Sequence, residues 1–167
     1  STIFDQLKNK VKTRLISVGR LDMDSEGLIL LTNDGDLARK LELPATGWLR
    51  KYRVRVHGYV IPKDLEQLKN GIVIDGIKYG RIDAALDRQQ RSNAWLTLSF
   101  REGKNREVRK VMNHLGYNVN RLIRVSFGPF NLKDLSSGEL KEVKNRVLNE
   151  QLGLSKPKKL KQNKNRK

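Results

Sequence analysis

Asp22 is the side chain in this sequence best placed to do chemistry. It lies within Val18-Gly-Arg-Leu-Asp-Met-Asp-Ser-Glu-Gly27, on a connection between two apolar segments, with Arg20 two residues before it. Such connections host function more often than core packing does. Four readings compete. Asp22-x-Asp24-x-Glu26-Gly27 resembles the start of a calcium loop, but the twelfth position is Asn33 instead of a bidentate glutamate. Asp22 with Asp24 or Glu26 could form the carboxylate pair of a glycoside hydrolase, although a basic chain does not suit a neutral sugar. Asp22 could cap a turn and pair with an arginine, the stronger reading for a lone loop aspartate. Finally, it could be a nucleophile toward a nucleic-acid base, kept ionised by a neighbouring arginine.

Composition narrows the choice. Lys and Arg outnumber Asp and Glu by 35 to 18, a net charge of +17. Residues 153–167 hold seven basic residues and no acid, so +10 remains on residues 1–152. An excess of this size favours a polyanionic partner, most commonly nucleic acid. No apolar stretch reaches the ~20 residues of a membrane span. There is no cysteine, which excludes disulfides and thiolate sites and fits a reducing, cytoplasmic location. With only His57 and His114 present, no metal site and no cofactor are expected.

The elements that must position Asp22 follow from periodicity. Short apolar runs predict strands at 15–18 and 27–32, the second closed by Asn33-Asp34-Gly35. Residues 36–41 read as a helix. Residues 51–60 alternate, with Tyr52, Val54 and Val56 on one face and Arg53, Arg55 and His57 on the other. Pro62 starts a helix that Gly71 ends. Asp75-Gly76 joins a hairpin of strands 72–74 and 77–79. Further strands are predicted at 81–91, 94–100 and 119–127, the last ended by Gly128-Pro129. Helices are predicted at 105–115, ending at Gly116, and at 139–152. Residues 1–14 suggest one or two amphipathic turns, and the basic tail from 153 is expected to be disordered. One domain over residues 1–152 is expected, α+β with a mixed sheet, because no βαβα rhythm is present.

Basic side chains gather on the helix from Asn105. Arg106, Arg109 and Lys110 share a face, with Arg101 and Lys104 before them and Arg121 and Arg124 on the strand after. With Arg53 and Arg55 these form a candidate phosphate-tracking surface.

Four stretches, in order, carry a family resemblance. Gly19-Arg20-Leu21-Asp22 followed by Ser25-x-Gly27-Leu28-x-Leu30-Leu31-Thr32-Asn33-Asp34-Gly35 resembles the signature of pseudouridine synthases. The likeness is to the ribosomal branch, which comprises the type A enzymes of the small ribosomal subunit and the types B, E and F of the large one. Lys51-Tyr52-Arg53-Val54, Glu102-Gly103-Lys104-Asn105-Arg106-Glu107-Val108-Arg109, and Arg121-Leu122-Ile123-Arg124 with Gly128-Pro129 resemble its later segments. The match runs from about residue 15 to 150 and is most like type B of the large-subunit enzymes.

The resemblance implies an isomerase that converts a specific uridine of ribosomal RNA to pseudouridine, without metal or cofactor, on a mainly antiparallel sheet with flanking helices. It implies Asp22 as the catalytic carboxylate, Tyr52 as the ring stacked on uracil, Arg109 as the ion-pair partner of Asp22, Leu122 as a pocket wall, and Arg20 as a contact or support near the loop. Lys51, Arg53, Lys104, Arg106, Lys110, Arg121 and Arg124 are expected to bind RNA, in rRNA or a ribosomal subunit precursor. The alternative is a non-catalytic RNA-binding or ribosome-assembly module. The branch usually carries an S4-type domain and a Lys-Pro-x-Gly strand before Gly-Arg-Leu-Asp. Neither is present, so an N-terminally truncated catalytic domain is expected, monomeric or pairing non-natively through an exposed sheet edge.

Overall fold

The computed structural model describes residues 14–43, 47–133 and 135–152. The amphipathic turn expected before Arg14 and the basic tail lie outside them. Contacts divide the chain into two units, Ser1–Lys133 and Asp134–Lys167.

The first unit is built on a six-stranded sheet. Its order is β10 (Phe130–Asn131), β9 (Asn118–Phe127), β4 (Arg50–His57), β8 (Asn93–Phe100) and β7 (Asp83–Gln90), with the short strand β2 (Glu26–Gly27) added in parallel to β9. Strand β4 is antiparallel to both β8 and β9, and β7 is antiparallel to β8. Period-two alternation decides which face is buried. Val54 and Val56, then Ala94, Leu96, Leu98 and Phe100, point inward, while Arg53, Arg55 and Trp95 point away from that core. The core is closed by helix α3 (Glu107–His114) through Val108, Val111 and Met112, each at or below 3 % exposure. Burial of each such side chain contributes about 1.5–3 kcal/mol. Helix α2 (Pro62–Glu66) runs into a 3-10 turn, Gln67–Asn70, capped by Gly71 at φ 77°. The hairpin β5 (Ile72–Ile74) and β6 (Ile77–Tyr79) turns at Asp75-Gly76 as expected. Strand β10 folds back on β9 after the Gly128-Pro129 turn.

The loop of Asp22 is held differently from the sequence expectation. Residues 27–32 do not form one buried strand. Strand β1 (Ile16–Ser17) pairs antiparallel with β3 (Leu31–Thr32), whereas β2 pairs with β9. Gly27 causes the split. Its φ is +115°, and a Cβ there would lie 2.2 Å from the Arg124 carbonyl oxygen. Only glycine permits that approach, after which the Leu28 N–H donates to the same carbonyl at 2.8 Å. Helix α1 (Gly35–Glu42) follows, capped by the Asp34 carboxylate, which accepts from Asp36 and Leu37 N–H.

In the second unit, helix α4 (Asn145–Leu152) is shorter than the expected 139–152. A turn precedes it: Ser136 N–H donates to the Glu139 carboxylate, Glu139 N–H donates to Ser136 O, and Gly138 takes φ 77°. That geometry is incompatible with a continuous helix. Among the described residues, no helix is long and apolar enough to cross a membrane.

Candidate functional site

The Asp22 loop is closed at its base by Val18 N–H donating to Leu30 O and by Gly19 N–H donating to the Glu42 carboxylate at 2.7 Å. Within it, Ser25 N–H donates to Asp22 O, which makes a tight turn. Asp24 carries the loop to helix α3. Its carboxylate receives both terminal nitrogens of Arg106, at 3.2 and 3.1 Å, and lies 3.3 Å from Arg109 Nε. Arg109 Nη2 also donates to Asp24 O at 2.7 Å. On the far side of the same strand, Arg121 grips the Glu26 carboxylate at 2.9 and 3.0 Å. The guanidinium hydrogen bonds of Arg106 and Arg121 hold the Asp24 and Glu26 carboxyls below their usual ranges. Asp24 and Glu26, weighed above as calcium ligands or as carboxylate partners of Asp22, are therefore the loop's attachments. They serve opposite sides of it, and among the described residues no group of three or more carboxylates or histidines could hold a metal ion.

This arrangement leaves Asp22 partly exposed, its Oδ2 4.0 Å from Arg106 Nη1. The ion pair expected between Asp22 and Arg109 is thus not formed. Arg109 is engaged by Asp24 and by Val119 O at 3.5 Å, and Arg106 is the cation beside Asp22. The reason lies in the start of helix α3. Arg106 takes the left-handed conformation, φ 50° and ψ 37°, which swings its side chain toward the loop. Such a conformation costs roughly 1–3 kcal/mol in a residue with a Cβ.

Tyr52 is brought near by register. Arg124 on β9 has Tyr52 opposite it on β4 and Gly27 opposite it on β2. Tyr52 therefore lies two strands, roughly 10 Å, from the end of the Asp22 loop. It faces inward, half-buried and stacked on Phe100 at 5.4 Å. Leu122 is inside the core opposite Val54. Arg20 is exposed.

Of the expected RNA contacts, Lys51, Arg53, Lys104, Arg106, Lys110 and Arg121 are exposed, with Lys104 paired to Glu102. Arg124 is not. It is 2 % exposed, its Nε donates to Leu28 O at 2.9 Å, and it sits 5.2 Å from the centroid of the Phe127 ring. Alternation along Leu122, Arg124 and Ser126 places it on the buried face, so it braces the loop's descending limb instead of touching RNA.

Glu107 was absent from the expected site. It is 3 % exposed, and Lys104 N–H donates to its Oε1 at 3.2 Å. Burial, then the neighbouring Glu102 carboxylate, pushes its carboxyl up to about 8. For Glu102, burial acts upward but is outweighed by the Lys104 ammonium and Gly80 N–H, so it titrates low. Glu107 accordingly holds the proton of the pair at neutral pH. Its folded value lies above the ordinary 4.5, so the stability it contributes is complete below pH 4.5 and lost as pH rises through about 8. The low-titrating Glu102 acts only at acid pH, outside that window. Thermal unfolding of Glu107→Gln should therefore lose several degrees less than the parent protein between pH 5 and pH 8.5. Equal losses would show that Glu107 is ionised when folded.

Comparison with known proteins identifies the family. The model of the RNA pseudouridylate synthase family matches residues 1–114. A Rickettsia felis protein named an uncharacterized RNA pseudouridine synthase is 43% identical over 150 residues, covering 88% of this chain and 63% of that protein. The ribosomal large subunit pseudouridine synthase B of Pseudomonas aeruginosa is 41% identical over 159 residues, covering 92% of this chain and 41% of that protein. The chain thus spans about three fifths of the Rickettsia relative and less of the Pseudomonas one. A crystal structure of a pseudouridylate synthase superposes with a TM-score of 0.73 at 27% identity, covering 90% of this chain and 65% of that one. With the family model matching residues 1–114 and relatives above 40% identical, the chain belongs to the RNA pseudouridylate synthases.

Proposed function

We propose that the protein isomerises a specific uridine of large-subunit ribosomal RNA to pseudouridine, with Asp22 as the catalytic carboxylate. One observation carries this. Asp24 takes up Arg109 and both terminal nitrogens of Arg106, so the carboxylate two residues earlier stays accessible beside a cation, on a loop whose Gly27 end lies two strands from Tyr52. The reaction breaks the bond between uracil N1 and ribose C1′, turns the base, joins C5 to C1′ and releases the C5 hydrogen as a proton, while the freed N1 takes up a proton from solvent. Asp22 supplies the nucleophilic or basic oxygen. Tyr52 offers a ring for the uracil, which must leave its stack to reach the site. Lys104 and Lys110 supply cations for the backbone around it.

The experiment is incubation of the protein with large-subunit rRNA carrying tritium at uridine C5, followed by measurement of tritium release and of pseudouridine in the digested RNA. Product at one position is expected; RNA binding without product would overturn the reading. In the same assay Tyr52→Phe keeps the stacking area and should retain most of the activity. Tyr52→Leu should lose about 10-fold or more, as loss of an aromatic stack costs ~1–3 kcal/mol per base. The reverse order would remove Tyr52 from the base site.

A further inference from the structure

The face of the sheet turned away from Tyr52 carries a second cationic arrangement. Cross-strand register puts Arg121 on β9 opposite Arg55 on β4, Arg55 opposite Trp95 on β8, and Trp95 opposite Arg88 on β7. Three arginines and a tryptophan thus form one row across four strands, roughly 14 Å long at the usual strand spacing. Arg53 adds a fourth guanidinium one position along. Like charges directly opposite each other in a sheet are destabilising, so folding alone does not favour Arg55 beside Arg121.

The row is only partly neutralised. Arg121 is paired with Glu26, and Arg53 lies 4.0 Å from Asp87, whose carboxylate also accepts from the Thr97 hydroxyl at 2.6 Å. Arg55 Nε donates to the neutral Asn120 side chain at 2.6 Å. Among the described residues, these four guanidiniums thus face two carboxylates, Glu26 and Asp87. Two are already aimed: Arg53 and Arg55 lie over the Trp95 ring, 4.9 and 5.7 Å from its centroid. Ring contact of this kind fixes the planar donor forks before any ligand arrives, which lowers the entropy cost of binding.

We propose that this outer face holds a second segment of the RNA by its phosphodiester backbone, apart from the segment that presents the uridine on the Tyr52 side. The inference rests on the pseudouridine synthase reading for the identity of the polyanion. Alternation makes the two sites distinct: Tyr52 and Arg53 are adjacent residues on opposite faces. An RNA strand in the uridine site cannot lie on the arginine row at the same nucleotides, so contact with both requires two segments of a folded RNA. Guanidiniums spread along a line, with Thr97, Asn93 and Asn120 between them as neutral hydrogen-bonding groups, suit a repeating phosphate–sugar chain.

The test is the salt dependence of binding to a large-subunit rRNA transcript, with Arg55→Gln/Arg88→Gln compared against the charge-matched Lys63→Gln/Lys69→Gln on the exposed α2 region. The outer-face double variant should bind about tenfold more weakly at 0.1 M salt, and its slope of log affinity against log salt should shrink by about 1.5, since each lost phosphate contact removes ~0.7–0.9. The lysine variant should match the parent. Arg88→Gln alone, at an exposed edge-strand position, covers the case in which the double variant does not fold, with half the slope change. An unchanged slope in the arginine variants, or an equal change in the lysine variant, overturns the proposal and leaves the row to an acidic protein surface or to no partner. Binding needs no turnover. Failure of the synthase reading, seen as no product from the parent protein, is therefore distinguishable from failure of this one.

Discussion

Asp22→Asn should abolish pseudouridine formation, with a fall in rate on the order of 10⁴ or more, while leaving RNA affinity and the melting temperature near those of the parent protein. Loss of a group that attacks or takes a proton has effects of this size elsewhere. The amide keeps the shape of the carboxylate and removes its charge and basicity. Little stability is at stake, because among the described residues the one ion pair of Asp22 is the 4.0 Å approach to Arg106 at a partly exposed position, and such pairs contribute about 0–1 kcal/mol. Single-turnover tritium release with the RNA saturated by protein is the measurement. Activity within tenfold of the parent would remove Asp22 from the chemistry. A matched collapse in melting temperature would instead make it a structural residue.

Gly27→Ala has the next largest expected effect, and it arises by a different route. The added methyl would stand 2.2 Å from the Arg124 carbonyl oxygen and 2.6 Å from its nitrogen, both backbone atoms that cannot turn aside. The residue would also have to hold φ at +115°. Strain and overpacking together amount to about 2–4 kcal/mol. The chain can escape that cost by releasing β2 from β9, so stability falls by no more than β2 docking contributes. The loop then loses its seat, and misplacing a catalytic group by about 1 Å is enough to cost about 100-fold in rate. Activity should thus fall at least that far, with a melting temperature lower by only several degrees. Gly76→Ala is the contrast. It has φ +78° but open space around its Cβ, and should cost stability without touching the rate. If Gly27→Ala were as active as Gly76→Ala, β2 would not position Asp22.

The sheet was readable because its strands are local statements. Alternation in 51–57 and 93–100 assigns each side chain to a face, and Asp75-Gly76 names its own turn. The same period also marked Arg124 as buried, through Leu122 and Ser126 on either side, but its basic neighbours drew it toward the RNA surface. The loop was less legible. Residues 27–32 are apolar enough for one strand, and the break at Gly27 depends on a parallel partner far along the chain. Asp24 and Glu26 look like turn residues because nothing beside them in sequence shows the arginines that hold them. Asp22 and Tyr52 were singled out by motif, and Arg106 took the place beside Asp22 that Arg109 was expected to fill, a substitution decided by one left-handed backbone conformation.

Every clasp on the loop's second half reaches far ahead in the chain. Arg109 lies 85 residues beyond Asp24, Arg121 lies 95 beyond Glu26, and Arg124 lies 96 beyond Leu28. At ordinary rates of synthesis those partners emerge roughly 5–20 s after the residues they hold. During that interval Asp22 is on a segment with no fixed position. Closing such long loops is also slow and entropically costly compared with forming the hairpins between them. The aspartate is therefore among the last parts of the domain to acquire its surroundings, and an unfinished chain carries the signature residues without the geometry that would let them act.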